Sequence, residues 1–298
     1  MSQSGIIHAV DSVDLSMESG ESWALVGESG CGKSVLGMAI MRLLPSNATI
    51  DGNIRFQQTD LREADEHKMQ SIRGKEIGMI PQNSAMALNP VMTIGRQVTE
   101  SLILHQGVSN HAAEVTAISL LESLGIQNPE RAMVRYPHEF SGGMRERILI
   151  AMSLICNPIL LIADEPTAGL DILIRNQTLE LLKEQSQGKT LLLITHDLGC
   201  AHALCSQIIV MYAGEIVESG PTSEVLSYPK HPYTLGLLAS LPSAGLHPIP
   251  GLSPSPTNFP PGCRFCERCQ SVVEICYTKH PLLRMIDDSR QVRCLRHD

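Results

Sequence analysis

Eight consecutive residues, Gly27-Glu28-Ser29-Gly30-Cys31-Gly32-Lys33-Ser34, fit the pattern G-x-x-x-x-G-K-[ST] at every specified position. The chemistry they suit is capture of a polyphosphate: glycines let the backbone curl so that successive N–H groups face one anion. Lys33 is then placed to reach the β- and γ-phosphates, and the Ser34 hydroxyl to hold a magnesium ion. Farther along, Ile159-Leu160-Leu161-Ile162-Ala163 runs directly into Asp164-Glu165. An apolar run that ends in two acids reads as a buried strand carrying carboxylates to the sheet edge where an α/β fold puts its ligand. Asp164 suits contact with the magnesium ion, through water, and Glu165 suits polarisation of an attacking water. A histidine at a strand end is ordinarily a structural hydrogen-bonder. His196, however, closes the run Thr190–Ile194 and arrives at the same edge, which favours contact with the terminal phosphate and that water.

Two further groups carry chemistry. Ser141-Gly142-Gly143 opens a helix with a hydroxyl and free N–H donors, a second anion site. Cys263, Cys266, Cys269, Cys276 and Cys294 place five of the nine cysteines in the last thirty-six residues. Iron–sulfur clusters and structural zinc both accept four thiolates, so either is open at this density.

The elements that must position these residues follow from periodicity and punctuation. Trp23–Val26 predicts a strand before the glycine loop, and the segment from Lys33 to about Leu44, ahead of Pro45, predicts a helix whose positive end faces the anion. Ala9–Leu15 alternates apolar and polar residues, which predicts a short strand. Ile50–Phe56 reads as a turn and strand, and Ile77–Pro81 as a strand that ends at Gln82. Gln82, Asn83, Leu88, Asn89 and Pro90 lead into a helical insertion over about Ile94–Tyr136, with Val115, Ile118, Leu121 and Leu124 at helical spacing. A helix from Ser141 to about Cys156 is stopped by Asn157-Pro158. Gln207–Met211 and Glu215–Val217 predict a peripheral hairpin, and residues 242–262, rich in Pro, Gly and Ser, an extended connector.

Composition bounds the function. The chain has 298 residues, 43% hydrophobic and 18% charged, which is a folded protein of about two domains. Its formal net charge of −8 opposes nucleic acid as the main partner. No apolar run reaches the roughly 18–20 residues of a membrane span, and no basic-then-apolar leader opens the chain, so a cytoplasmic protein with reduced or metal-bound cysteines is expected.

In the order Gly27–Ser34, Gln82, Ser141-Gly142-Gly143, Asp164-Glu165, Ala168-Gly169-Leu170-Asp171 and His196, the chain resembles the nucleotide-binding subunit of an ATP-binding cassette transporter over about residues 6–225. The resemblance implies an α/β P-loop NTPase fold with a mixed sheet core and a helical subdomain at about 84–157. It implies a cassette domain over 1–230 and a small Cys-rich extension over 231–298. It further implies ATP and magnesium as ligands, the latter held by Ser34, Gln82 and Asp164. Gln82 is then the γ-phosphate sensor linked to the membrane subunits, and Asp171 belongs to a loop crossing a dimer interface. Ser141 and Gly143 would contact ATP bound to a second ATPase subunit, a copy or a paralogue.

His231-Pro232-Tyr233-Thr234, Ile249-Pro250-Gly251 and Pro260-Pro261-Gly262-Cys263 resemble the tail of peptide and nickel importer ATPases. That resemblance implies two membrane permease subunits, an extracytoplasmic binding protein acting indirectly, and a peripheral place on the cytoplasmic face of the inner membrane. Gly-Cys-x-Phe-x-x-Arg-Cys in such tails selects Cys263, Cys269, Cys276 and Cys294 for a 4Fe-4S cluster, with zinc the lesser alternative and Cys266 surplus. Met144 stands where many cassettes have Gln, and Gly169 where many have Ala; neither removes a phosphate ligand or the catalytic acid. The family also places an adenine-stacking ring upstream of the phosphate loop, yet residues 1–22 contain no Phe, Tyr or Trp. Either His8 takes that place or the ring lies outside this chain. The competing classes are a non-transport cassette ATPase, which would bring tandem cassettes, a long coiled-coil insertion or a basic surface, and a redox-sensing ATPase regulated through its cysteine tail.

Overall fold

The computed structural model describes residues 5–82 and 84–297. In chain order its elements are β1 (Ser22–Val26), α1 (Lys33–Ile40), β2 (Arg55–Phe56), β3 (Thr59–Asp60), α2 (Glu66–Ile72), β4 (Ile77–Ile80), α3 (Ser84–Ala87), α4 (Ile94–Gln106), α5 (Asn110–Ser123), α6 (Pro129–Met133) and α7 (Gly142–Leu154). There follow β5 (Leu160–Asp164), α8 (Ile172–Gln185), β6 (Thr190–Thr195), α9 (Leu198–Leu204), β7 (Gln207–Tyr212), β8 (Glu215–Pro221), α10 (Thr222–Ser227), α11 (Pro232–Ala239), β9 (Arg284–Met285) and β10 (Gln291–Val292). They form two compact units. One comprises Met1–Met17, Ser22–Leu36 and Ile194–Asp298; the other comprises Glu18–Glu21 and Gly37–Leu193.

In the first unit the strand order is β1-β7-β8-β10-β9. Ala24, Leu25 and Val26 have no exposed surface, and β1 lies parallel to β7 with Val26 opposite Val210. The hairpin β7–β8 turns through Ala213 and Gly214, both with positive φ, the backbone that a two-residue hairpin requires. This hairpin is not peripheral, contrary to the sequence expectation. Val210, Met211 and Tyr212 are wholly buried because β1 covers one side of the pair and β10 extends the other, with Gln291 opposite Ser219. Residues 9–15 form no strand either. Ser12 sits at φ 50, and the segment is held by individual groups rather than a ladder: Asp11 donates its N–H to Gly214 O, the Asp11 carboxylate pairs with Arg264, and Ser12 O accepts from Arg293 Nη2 at 3.1 Å.

In the second unit β4 and β5 run parallel, Ile80 opposite Ala163, and β6 follows β5 in strand order. Leu161, Ile162 and Ala163 are fully buried, as an all-apolar run in a covered parallel strand requires. The first helix ends at Ile40, short of the expected Leu44, because Arg42 adopts φ 49. Arg73 receives the chain there, donating from Nε to Met41 O at 2.8 Å and from Nη2 to Arg42 O at 3.2 Å. The expected helical insertion resolves into α4, α5 and α6. On α5 the buried stripe is Ala113, Ala117 and Leu121, continued by Leu124, whereas Val115 is 56% exposed; it lies two residues off the stripe and faces water.

Candidate functional site

The glycine loop is built by close approach. Gly27 has φ +154 and Gly32 φ +106, and a Cβ on them would collide with the carbonyl oxygens of Met211 and Ala9 respectively. No other residue fits where backbone passes backbone this closely. The Lys33 side chain is buried and folds back along the loop, donating from Nζ to Gly27 O at 2.8 Å and Glu28 O at 3.0 Å. Its burial follows from those carbonyls, which satisfy the ammonium in place of water. Cys31, inside the loop, is buried and its thiol is pushed up by that burial. Ser34 lies in the first turn of α1, and His8 is exposed, its N–H bonded to Pro256 O at 3.0 Å. His196 follows the last residue of β6 and is exposed, while Asp197 caps α9 by accepting from Gly199 N at 2.8 Å and Cys200 N at 3.1 Å. All of these residues belong to the first unit.

The second unit carries the acids. Asp164 ends β5 and is 3% exposed; Glu165 follows at 9% exposure and with φ 49. A left-handed backbone is rare for a non-glycine residue and is held here by the turn in which Glu165 O accepts from Ala168 N at 3.0 Å. Asp171 caps α8, accepting from Leu173 N and Ile174 N, both at 3.1 Å. That capping role was absent from the sequence reading, although Asp before a helical run is its usual signal. Ser141 caps α7 through a 3.4 Å bond from Met144 N, and Ser141 and Gly142 are exposed. Gln82 is exposed, and Asn83 lies outside the described residues. The loop beyond it is pinned by buried Gln97, which accepts from Asn89 N at 2.8 Å and donates to Asn89 O at 3.0 Å and Met92 O at 2.9 Å.

Residues 10–168 match the family described as ABC transporter. The chain belongs to the ATP-binding cassette transporter family. Within this cassette, residues 217–276 match the family described as the C-terminal region of oligopeptide/dipeptide transporters. The oligopeptide transport ATP-binding protein AppD of Bacillus subtilis is 44% identical, across 98% of this chain and 92% of its own length. The dipeptide transport ATP-binding protein DppD of the same organism is 45% identical, across 99% of this chain and 90% of its own. Among solved structures, the dimeric post-hydrolysis state of the cassette MJ0796 bound to ADP and Pi superimposes with TM-score 0.64 at 27% identity, covering 72% of this chain and 90% of that one. The mixed-sheet α/β fold and an ATP-hydrolysing activity follow from this membership. No helix among the described residues is long and apolar enough to cross a membrane.

The cassette's extension brings its five late cysteines to one cleft, lined by Cys263, Cys266, Cys269, Cys276 and Cys294 with His231 and Phe265. Burial pushes the Cys263 thiol up to about 12, and the neighbouring Cys276, Cys266 and Cys294 push the same way. Cys266, surplus in the sequence pattern, is 2% exposed and lines the cleft with the rest. None of the nine cysteines is in a disulfide.

Sequence reading missed the residues that grip the phosphate loop from the extension. Glu28 donates its N–H to the Tyr233 hydroxyl at 2.9 Å, and its carboxylate is forked by Arg268. The available signal was Glu28 itself, since an acid inside an anion-binding loop calls for a cation.

Proposed function

We propose that this cassette is the ATP-hydrolysing subunit of an importer for di- and oligopeptides, working with two membrane permease subunits and, indirectly, an extracytoplasmic binding protein. The observation that carries this reading is the match of residues 217–276 to the oligopeptide/dipeptide transporter region; the peptide-transport names of relatives such as AppD and DppD support it. A peripheral location on the cytoplasmic face of the inner membrane goes with those partners, as does a division into a cassette over 1–230 and an extension over 231–298.

In this reading the loop amides and Lys33 bind the β- and γ-phosphates, and Lys33 exchanges the carbonyls of Gly27 and Glu28 for phosphate oxygens. Glu165 takes the proton of the attacking water as general base, and His196 orients that water and the γ-phosphate. Gln82 reports the γ-phosphate to the membrane subunits. Ser141 and Gly143 serve the nucleotide of a second ATPase subunit, with Asp171 in the loop between the two. Ser34, Gln82 and Asp164 are oxygen donors of the kind magnesium takes, and they are the residues that would hold it. Bound there, the ion neutralises charge on the phosphate oxygens.

The cysteine cleft fits a thiolate-ligated group: five thiols surround it and Arg296 also lines it. Among the described residues no three His, Cys, Asp or Glu side chains are gathered tightly enough for a single metal ion. The likeness of this tail to those of peptide and nickel importer ATPases, and no distance between the sulfurs, supports a 4Fe-4S cluster on Cys263, Cys269, Cys276 and Cys294, with tetrahedral zinc the lesser alternative. Such a group would crosslink the extension. Iron and sulfide assays on anaerobically purified protein test it, and zinc without sulfide overturns it.

The function is tested by uptake of labelled dipeptide and labelled nickel in cells carrying either the native chain or Glu165→Gln. Selective loss of dipeptide uptake is expected. Loss of nickel uptake alone would make the cargo a nickel chelate, and unchanged uptake of both would remove the peptide assignment.

A further inference from the structure

Glu28 is an anomaly. It is the second residue of a loop whose purpose is to hold a polyanion, and a free carboxylate there would repel the phosphates. The structure answers it with a cation brought from 240 residues away. Arg268 donates from Nη1 to Glu28 Oε2 at 2.8 Å and from Nη2 to Oε1 at 2.9 Å, a parallel fork. The guanidinium is itself fixed on its other donors: Nε to Pro250 O at 3.0 Å, and Nη1 to Ser253 Oγ at 3.1 Å and the Tyr212 hydroxyl at 3.3 Å. Ser253 adds a bond of its own to Glu28 Oε2 at 2.9 Å. The Arg268 side chain is 6% exposed against 29% for Glu28, so the cation is the buried, immobile member of the pair. Beneath it Phe265 packs edge to face with Tyr212 and Tyr233, centroids 5.2 and 5.5 Å away, and the two tyrosine rings lie tilted at 4.6 Å. From that cluster Tyr233 accepts the Glu28 N–H.

We propose that Arg268 is a positioning residue for ATP binding: it neutralises Glu28 and holds it in a fixed orientation, so that the Glu28 carboxylate does not oppose the nucleotide phosphates that the loop amides and Lys33 attract. The extension is thereby part of the nucleotide site, through a residue that touches no phosphate. The inference rests on Gly27–Ser34 binding nucleotide. The fork and the Ser253 bond hold the Glu28 carboxyl below the usual carboxylate range, so the acid stays ionised and needs its counter-charge at every physiological pH.

The test is equilibrium binding of a fluorescent ATP analogue, with magnesium, to the full chain at fixed salt, read as Kd. Arg268→Gln leaves Glu28 ionised beside the phosphates and should weaken binding about tenfold, less so at high salt. The double variant Glu28→Gln/Arg268→Gln should recover most of what Arg268→Gln loses, because the repelling charge has gone. A merely structural role predicts the opposite, a double variant as weak as Arg268→Gln, and that result overturns the proposal. So does an Arg268→Gln Kd within twofold of native. If Arg268→Gln does not fold, Arg268→Lys decides: binding within about threefold of native supports neutralisation, and a tenfold loss overturns it. Failure of the native chain to bind the analogue would instead remove the nucleotide reading of the loop.

Discussion

Two glycine-rich helix starts in this cassette are built in opposite ways. Gly27–Ser34 is enclosed: Lys33 is buried, Gly27 and Gly32 lie against neighbouring carbonyls, and Tyr233 and Arg268 hold Glu28 from the extension. The helix start at Ser141-Gly142 is open, with both residues exposed and the Ser141 hydroxyl accepting a long 3.4 Å bond from Met144 N. The same chemistry, amides at a helix N-terminus, is preorganised in one case and left available in the other. The difference teaches that a closed loop suits a nucleotide this chain itself captures, whereas an open helix end suits, on the proposed function, a nucleotide presented by a second subunit.

Four substitutions sharpen or break that contrast. The largest effect belongs to Glu165→Gln, which should lower ATP turnover by roughly 10²–10⁴-fold while leaving nucleotide affinity near native; steady-state hydrolysis together with analogue binding checks it, and retained turnover would strip Glu165 of its role. Ser141→Ala comes next. On the role proposed for Ser141, one hydrogen bond to phosphate, it should reduce turnover about tenfold, yet change stability by less than about 0.5 kcal/mol because the cap it removes is long and exposed. Equal damage to folding and turnover in thermal melts and hydrolysis assays would show that the open helix end is only a cap.

Asp171→Ala removes two 3.1 Å capping bonds from α8 and should cost about 1 kcal/mol in denaturant unfolding. A loss of turnover with unchanged stability would return Asp171 to a purely intersubunit role. The smallest effect is His280→Gln. The bond from His280 to buried Glu215, at 2.8 Å, raises the imidazole above its ordinary value near 6.5. With the folded value above the unfolded one, this contribution is complete below about pH 6.5 and fades as pH rises through the folded value. The variant should therefore be less stable at pH 6 by under about 1 kcal/mol, after discounting for the partly exposed ring, and equal to native at pH 9. A difference that persists at pH 9 would assign the effect to packing.

The legibility of these regions in the sequence follows the range of the interactions. Phosphate loop, acid pair and helix caps are local patterns, and Val26, Asp164 and Ser141 fall at the element ends that the patterns predict. The short strand at Ala9–Leu15 was misread because alternation alone does not supply a neighbour; side chains of Arg264 and Arg293 take the place of a ladder. The hairpin β7–β8 looked peripheral because the strand that covers its outer edge, β10, begins seventy-six residues after β8 does. Arg268 was legible only as the residue before a cysteine. Glu28 signals that a cation is needed, but no local pattern points to Arg268, 240 residues away, as its partner.

The placement of β10 has a consequence for synthesis. Glu218 is wholly buried between neighbours and accepts from Lys230 N and His231 N, and from Arg290 Nη2 at 2.8 Å. At about 5–20 residues per second, roughly 4–14 s separate the appearance of β8 from that of Arg290 and β10. During that interval the ribosome displays a nearly complete cassette whose last strand edge is unpaired and whose most buried carboxylate lacks its cation. A nascent chain that stalls within the extension would carry every nucleotide motif and still be a poor folder, prone to edge-to-edge association.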